Sequence, residues 1–189
     1  MTDRRRILLT GVGGQGVLSA GRWLGEAAEA AGLPMIVSEA HGLSQRGGSV
    51  QCAVAIGGLR APEIPDGMAD VLVALEPMEA ARALQKVSKR TTAIVNTRPI
   101  LPSSLQSAGR PYPPLASLLE PLEEAAGSFR ATDATSLAAE AGSHRSLNVV
   151  MLGMLAAADV LPFPADRLLD VIAHAKGDGL AVGDSRGVA

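Results

Sequence analysis

The length and composition of the chain indicate one globular domain. Any redox chemistry in which it takes part would use redox groups held by another molecule. The chain has 189 residues, 47% of them hydrophobic and 19% charged, with a net charge of −2, which excludes a disordered protein and disfavours a nucleic-acid partner. The lone cysteine, Cys52, excludes a disulfide framework, a four-cysteine zinc site and an iron–sulfur cluster held by this chain alone.

The first part of the sequence predicts a strand, a glycine loop, a helix and a second strand. The apolar run Ile7–Thr10 is typical of a strand buried on both faces, and residues 11–16 form a tight loop. The composition from Val17 to Ala31 is helical, and Met35–Glu39 reads as the second strand. These pieces make one β–α–β unit, whose strands are normally parallel.

The middle of the sequence departs from this alternation. Because no crossover helix precedes the predicted strand Val50–Ile56, we expect it to be an antiparallel member of a mixed sheet. A strand, a helix and a strand then follow at Val71–Leu75, Met78–Lys86 and Thr92–Asn96. Residues 99–114 contain five prolines and predict irregular chain.

The last part of the sequence is mainly helical. A helix is predicted at Leu115–Ala126 despite Pro121, followed by a short strand at Phe129–Asp133. Three further helices are expected at Ala134–Ala141, Leu147–Asp159 and Ala165–Ala175. Four glycines and little apolar periodicity in Lys176–Ala189 predict a mobile tail. Residues 1–189 are therefore expected to form a single α/β domain, three-layered and Rossmann-like, with a mixed, mostly parallel sheet.

The sequence shows neither a signal peptide nor a membrane-spanning helix. The basic start is followed by only Ile7–Leu9 before the glycine loop, whereas a signal peptide needs a longer apolar region and a cleavage site. The apolar stretch Val149–Leu161 contains Gly153 and Asp159 and is too short to span a bilayer. We therefore expect a cytoplasmic protein.

The glycine loop has the spacing of a dinucleotide-binding fingerprint, Gly11-x-Gly13-x-x-Gly16. Small residues let backbone N–H groups approach a phosphate, and the following helix directs its positive end toward that anion. Glu39 stands where an acid would accept a hydrogen bond from a ribose hydroxyl. Read alone, the pattern indicates NAD or FAD, but glycines that merely allow a strand and a helix to pack closely explain it equally well.

The connection between the second and third predicted strands is dense in polar residues and glycines. Glu39, His41 and Arg46 form a candidate acid–base or anion-binding cluster there, although a polar surface loop accounts for the same composition. The histidines of the chain are widely spread, which argues against a zinc site, and no nucleophile elbow encloses the nearby serines. Cys52 lies in a predicted strand and is interpreted as a small core residue rather than a nucleophile.

Two motifs stand out, Gly11–Val17 with the sequence GVGGQGV and Ser38–Val50 with the sequence SEAHGLSQRGGSV. Together they resemble the gamma-type subunit or domain of 2-oxoacid:ferredoxin oxidoreductases. The likeness extends over residues 6–155 and is closest to the indolepyruvate branch of that family. Three further stretches share it: Ala69–Ala80, Asn96–Ile100 and Asn148–Gly153.

This resemblance implies a subunit rather than a complete enzyme. Enzymes of the family decarboxylate a 2-oxoacid oxidatively to an acyl-CoA, using thiamine diphosphate with Mg²⁺, and pass electrons through iron–sulfur clusters to ferredoxin. In the two-subunit indolepyruvate type, the large partner holds the thiamine site and the clusters, while the small subunit packs on it and helps to bind CoA. The chain is then expected to be inactive alone, with no catalytic residue or metal of its own and no contact with nucleic acid or membrane.

The resemblance also implies roles for the two loops. Both are expected to face the partner subunit, and one or both to hold an anionic group such as a CoA phosphate, Arg46 doing so by charge-assisted hydrogen bonds. The candidate cofactor-binding residues are Gly11, Gly13, Gly14, Gln15, Gly16, Arg46, Gly47, Gly48 and Ser49. The candidate polar core of the subunit contact is Glu39, His41 and Gln45. Two alternatives stay open: a NAD(P)-binding Rossmann oxidoreductase, and a purely structural or regulatory subunit.

Overall fold

The computed structural model describes residues 4–41 and 48–184, with the side chains of His41 and of residues 176–184 outside that description, and this part of the chain contains six strands and seven α-helices. The strands are β1 (Arg5–Val12), β2 (Met35–His41), β3 (Ser49–Ile56), β4 (Val71–Ala74), β5 (Thr92–Asn96) and β6 (Ser128–Thr132). The α-helices are α1 (Val17–Ala30), α2 (Pro77–Arg82), α3 (Ser103–Ser107), α4 (Leu115–Ala125), α5 (Ala134–Glu140), α6 (Leu147–Ala156) and α7 (Ala165–Asp184).

The strands form one mixed sheet in the order β2-β3-β1-β4-β5-β6. β1, β4, β5 and β6 run parallel, whereas β3 is antiparallel to both of its neighbours, β1 and β2. The antiparallel strand expected at Val50–Ile56 is thus confirmed. Residues 42–48 are too few for a crossover helix, so the chain returns from β2 in the opposite direction. As a result, the carboxyl ends of β1, β4 and β5 share one edge of the sheet with the amino end of β3.

Helices cover both faces of the sheet, and each face has its own apolar core. Ile7 and Leu9 of β1 pack with α1, α6 and α7, while Leu8 points to the opposite face and packs with α2 and α4. β4 is buried along its whole length, as expected for a central parallel strand. This confirms the three-layered α/β architecture. Among the described helices, none has the length and apolar character needed to cross a membrane.

Several segments differ from the sequence-based expectations: α2 and α6 end earlier, at Arg82 and Ala156, and two further differences are larger. α7 continues to Asp184, whereas the sequence predicts a helix that ends at Ala175 and an irregular tail. Each glycine in a helix costs about 1 kcal/mol, but extending a helix that packing has already nucleated needs little free energy per residue. The mobility of Lys176–Ala189 stays a prediction. The proline-rich residues 99–114 contain the short helix α3, which begins directly after Pro102.

Candidate functional site

The two loops singled out in the sequence meet at one edge of the sheet. The glycine loop, residues 11–16, follows β1, and Gly48 and Ser49 lead into β3, whose Ser49 is opposite Val12. The backbone N–H of Gly13 donates to the carbonyl oxygen of Gly48 at 3.0 Å. We call residues 11–16 together with Gly48 and Ser49 the two-loop site.

Gln15 uses its side-chain amide to join the ends of β1 and β4. Its Oε1 accepts a hydrogen bond from the backbone N–H of Val12 at 2.8 Å, and its Nε2 donates to the carbonyl of Leu75 at 2.8 Å. A Cβ at Gly11 would lie 2.7 Å from Gln15 Oε1, so the folded-back side chain requires glycine there. Gln15 therefore has a structural role that occupies both of its polar atoms.

Two further glycines of the loop differ in the space around them: Gly16 is closely packed and Gly14 is open. Gly16 has a left-handed φ of 81°, and a Cβ there would lie 2.6 Å from Nδ2 of Asn148, which donates to the carbonyl of Gly16 at 3.3 Å. Gly14 also has positive φ, 101°, but nothing lies within 4 Å of the place of its Cβ. At Gly14, unlike at Gly11 and Gly16, an approaching group therefore meets open backbone.

A buried carboxylate, Glu76, closes the junction between β4 and α2. Its Oε2 accepts from the N–H of Glu79 at 3.1 Å and so caps α2. Its Oε1 accepts from the Tyr112 hydroxyl at 2.6 Å and from the N–H of Ile100 at 3.1 Å. Burial, and then the hydrogen bond to Glu76, raise the pKa of the Tyr112 phenol above its usual range. Glu76 therefore anchors the proline-rich segment beside the two-loop site.

A second buried carboxylate, Glu79, reaches the two-loop site itself. Its Oε1 accepts from Nη1 of Arg82 at 2.7 Å, and its Oε2 accepts from the Ser49 hydroxyl at 2.5 Å. Burial is the main cause that raises the pKa of Glu79; the Ser49 hydrogen bond and the Arg82 charge oppose it, and the Glu76 charge adds to it. Ser49, predicted to bind an anion, thus donates its proton to a carboxylate of this chain.

The remaining predicted site residues lie on β2 or outside the described residues. Glu39 is exposed on β2 opposite Cys52, and the backbone of His41 ends that strand opposite Val50. The residues outside the described part of the chain are Gln45, Arg46 and Gly47. Cys52 is fully buried, and burial, reinforced by the charge of Glu39, raises the pKa of its thiol to about 12. This supports its interpretation as a core residue.

Several residues that build the site were not predicted from the sequence to do so. Glu76 carried a readable signal, because an acid directly before Pro77 is typical of a helix start. Asn148 begins a stretch that shares the family likeness, but nothing in the sequence placed it beside Gly16, and Tyr112 carried no signal; each contacts the site from a distant part of the chain. In the part of the chain that the structure describes, no three His, Cys, Asp or Glu side chains are grouped so as to hold a metal ion.

The buried carboxyl of Glu79 predicts a pH dependence of stability. Because its pKa is raised above 4.5, the folded state binds the proton more tightly than the unfolded state does. Its stabilising contribution is therefore complete below pH 4.5 and is lost as the pH rises through the raised pKa. A tenfold difference in proton affinity between the two states is worth about 1.4 kcal/mol. As the pH rises from 4.5 through the raised pKa of Glu79, we expect the free energy of unfolding of Glu79→Gln to increase relative to that of wild type, and then to level off.

Denaturant unfolding of both proteins at a series of pH values measures this difference. Glu29→Gln, on the exposed surface of α1, is the control for removing one carboxylate. A difference between Glu79→Gln and wild type that does not change with pH would contradict the prediction.

The sheet order, the helices on both faces and the joined loops define a Rossmann-like α/β module, and the sequence comparisons give its family. Residues 6–184 match the pyruvate ferredoxin/flavodoxin oxidoreductase family, and the chain belongs to it. It is 44% identical over 163 residues to indolepyruvate oxidoreductase subunit IorB of Methanothermobacter thermautotrophicus, covering 86% of this chain and 83% of that protein. The subunit IorB of Archaeoglobus fulgidus is 41% identical over 169 residues, covering 89% and 84%. The protein is therefore an oxidoreductase subunit of the 2-oxoacid:ferredoxin family.

Solved structures share the fold. The 2-oxoglutarate:ferredoxin oxidoreductase from Magnetococcus marinus, with 2-oxoglutarate, coenzyme A and succinyl-CoA bound, superposes on 93% of this chain with a TM-score of 0.68 at 20% identity. The chain spans 27% of the length of that polypeptide. A keto/oxoacid ferredoxin oxidoreductase gamma subunit from Geobacter sulfurreducens matches 89% of this chain and 84% of its own, with a TM-score of 0.60 at 20% identity. The fold implied by the resemblance is thus confirmed.

Proposed function

We propose that this chain is the small subunit of an indolepyruvate-type 2-oxoacid:ferredoxin oxidoreductase and holds no redox cofactor itself. The large partner subunit carries thiamine diphosphate, Mg²⁺ and the iron–sulfur clusters, makes the acyl-CoA and passes the electrons to ferredoxin. The observation that carries the proposal is the 44% identity, over 86% of the chain, to a subunit of an indolepyruvate oxidoreductase. The lone buried cysteine agrees with it, because the cluster ligands must then come from the partner.

Within that complex, the two-loop site takes an anionic part of CoA. Gly14 offers open backbone, and the 14-residue helix α1 begins directly after Gly16 and directs its positive end toward the loop. Arg46 belongs to the connection that ends at Gly48, and it supplies the cation. Glu39, His41 and Gln45 form the polar core of the contact with the partner, with Glu39 exposed on the edge strand β2.

The sheet order disfavours the alternative of a NAD(P)-binding enzyme. A dinucleotide site needs the acid at the end of the second strand beside the glycine loop. Here β3 lies between β1 and β2, so Glu39 is two strands from β1, about 10 Å at the usual strand spacing. The side chains of Gln15 and Asn148 pack where a Cβ at Gly11 or Gly16 would lie. Packing therefore explains glycine at these two positions of the fingerprint without a bound dinucleotide.

The test is Arg46→Ala in the complex reconstituted with the large subunit. Loss of a charge-assisted bond to a phosphate is worth about 1.5–3 kcal/mol, so we expect the KM for CoA to rise at least about tenfold with little change in kcat. Arg22→Ala, an exposed arginine of α1 paired with Glu26 at 3.4 Å, is the matched control. An unchanged KM together with unchanged assembly of the complex would show the role assigned to Arg46 to be wrong, and tight binding of NADH by the isolated chain would favour the alternative.

A further inference from the structure

Two hydrogen bonds connect α2 to the glycine loop through the start of β3. The Ser49 hydroxyl donates to Oε2 of Glu79 at 2.5 Å, and the neighbouring carbonyl of Gly48 accepts from the N–H of Gly13 at 3.0 Å. The Glu79 side chain is 3% exposed, so its hydrogen bonds have little competition from water. The position of Gly48 relative to the glycine loop is thus tied to a buried carboxylate.

The Glu79 carboxylate is itself held in place. Arg82 donates to its other oxygen at 2.7 Å, and the helix on which both residues lie is capped by Glu76 and begins with Pro77. An acceptor fixed in this way sets the direction of the Ser49 hydroxyl. Because that hydroxyl has only one proton, Ser49 cannot donate it to a bound anion while it bonds Glu79.

We propose that Glu79 is a positioning residue that, through Ser49, holds Gly48 against the glycine loop at the spacing the two-loop site needs to take CoA. Ser49 then supports the site instead of binding the anion, which is left to the open backbone at Gly14. The ligand in this proposal rests on the proposed function, whereas the support of the loop can be measured without CoA.

The first arm measures amide hydrogen exchange in the full chain by NMR. Ser49→Ala and Glu79→Ala are each expected to speed exchange at the Gly13 amide about tenfold, because both release Gly48. The Gln15 amide, which bonds to Val12 within the same loop at 3.2 Å, is the internal control and keeps its rate. In the double variant the Gly13 amide should exchange no faster than in either single variant. In Glu79→Gln, which keeps an acceptor for the Ser49 hydroxyl, the Gly13 amide should stay protected from exchange.

An unchanged exchange rate of the Gly13 amide in both alanine variants overturns the proposal. An equal rise at the Gln15 amide also overturns it, because the whole loop would then have become more mobile. Ser49→Ala keeps the test decisive if Glu79→Ala does not fold, since it leaves both charges of the Glu79–Arg82 pair in place.

The second arm measures the KM for CoA and kcat in the reconstituted complex. Ser49→Ala and Glu79→Ala are expected to raise the KM about fivefold or more, with kcat within about twofold of wild type. If Arg46→Ala raises the KM and Ser49→Ala does not, the positioning role is wrong and the proposed function stands. If the Gly13 amide responds but neither Ser49→Ala nor Arg46→Ala changes the KM, CoA binding by this chain is wrong.

Discussion

Gly21→Ala should destabilise the protein by about 3 kcal/mol, because the added methyl group would overpack the contact between α1 and β3. A Cβ at Gly21 would lie 2.2 Å from Sγ of Cys52, far inside van der Waals contact. Cys52 is fully buried in the apolar core, so its sulfur can move away from the added methyl group only by displacing other packed side chains. The loss is read from denaturant unfolding of wild type and variant.

Two further variants separate this contact from the general cost of changing a helix. Cys52→Ala removes the sulfur and leaves its Cβ 3.3 Å from the new methyl group, so Gly21→Ala/Cys52→Ala should recover most of the loss. Gly153→Ala is the matched control: it also lies in a helix, α6, but nothing is within 4 Å of its Cβ position. That change should stabilise the protein by up to about 1 kcal/mol. Similar effects at Gly21 and Gly153 would contradict the explanation.

Patterns within short stretches of sequence were enough to predict most of the fold. Apolar runs placed β5 at Thr92–Asn96 with the bounds that the structure has, and the missing crossover helix predicted the direction of β3. Both signals are local, since a buried strand needs apolar residues and a short connection reverses the chain. α7 is longer than the sequence indicates, because the glycines after Ala175 lower helix propensity only weakly compared with the small cost of extending a helix that has already formed.

The candidate site was only partly predictable, because it depends on contacts between distant parts of the chain rather than on local patterns. The glycine loop and the second motif could be found as stretches of sequence, but their supports come from elsewhere in the chain. Tyr112 meets Glu76 from the proline-rich segment, and Asn148 meets Gly16 from α6. Such contacts follow no period along the sequence, so they appear only when the fold is known.

The glycine fingerprint shows how packing and ligand binding share one sequence pattern. Gly11 and Gly16 are required by side chains of this protein, whereas Gly14 has open space beside it. A sequence motif cannot distinguish these cases, because in each of them a side chain is excluded. Gly14 and Gly16 both have positive φ but differ in the neighbouring space, so comparing them separates the effect of the backbone from the effect of packing.

Gly16→Ala is accordingly expected to cost about 3 kcal/mol, of which about 1–2 come from the left-handed backbone and the rest from the contact with Asn148. Gly14→Ala carries the strain alone and should cost only about 1–2 kcal/mol. Asn148→Ala removes the Nδ2 atom 2.6 Å from the new methyl group, so in the Gly16→Ala background it should be less damaging than in wild type. Denaturant unfolding of the four proteins of this cycle gives the coupling, expected at about 1–2 kcal/mol. Equal costs at Gly14 and Gly16 with no coupling to Asn148 would mean that strain alone selects glycine at both positions, and that the fingerprint is not explained by packing.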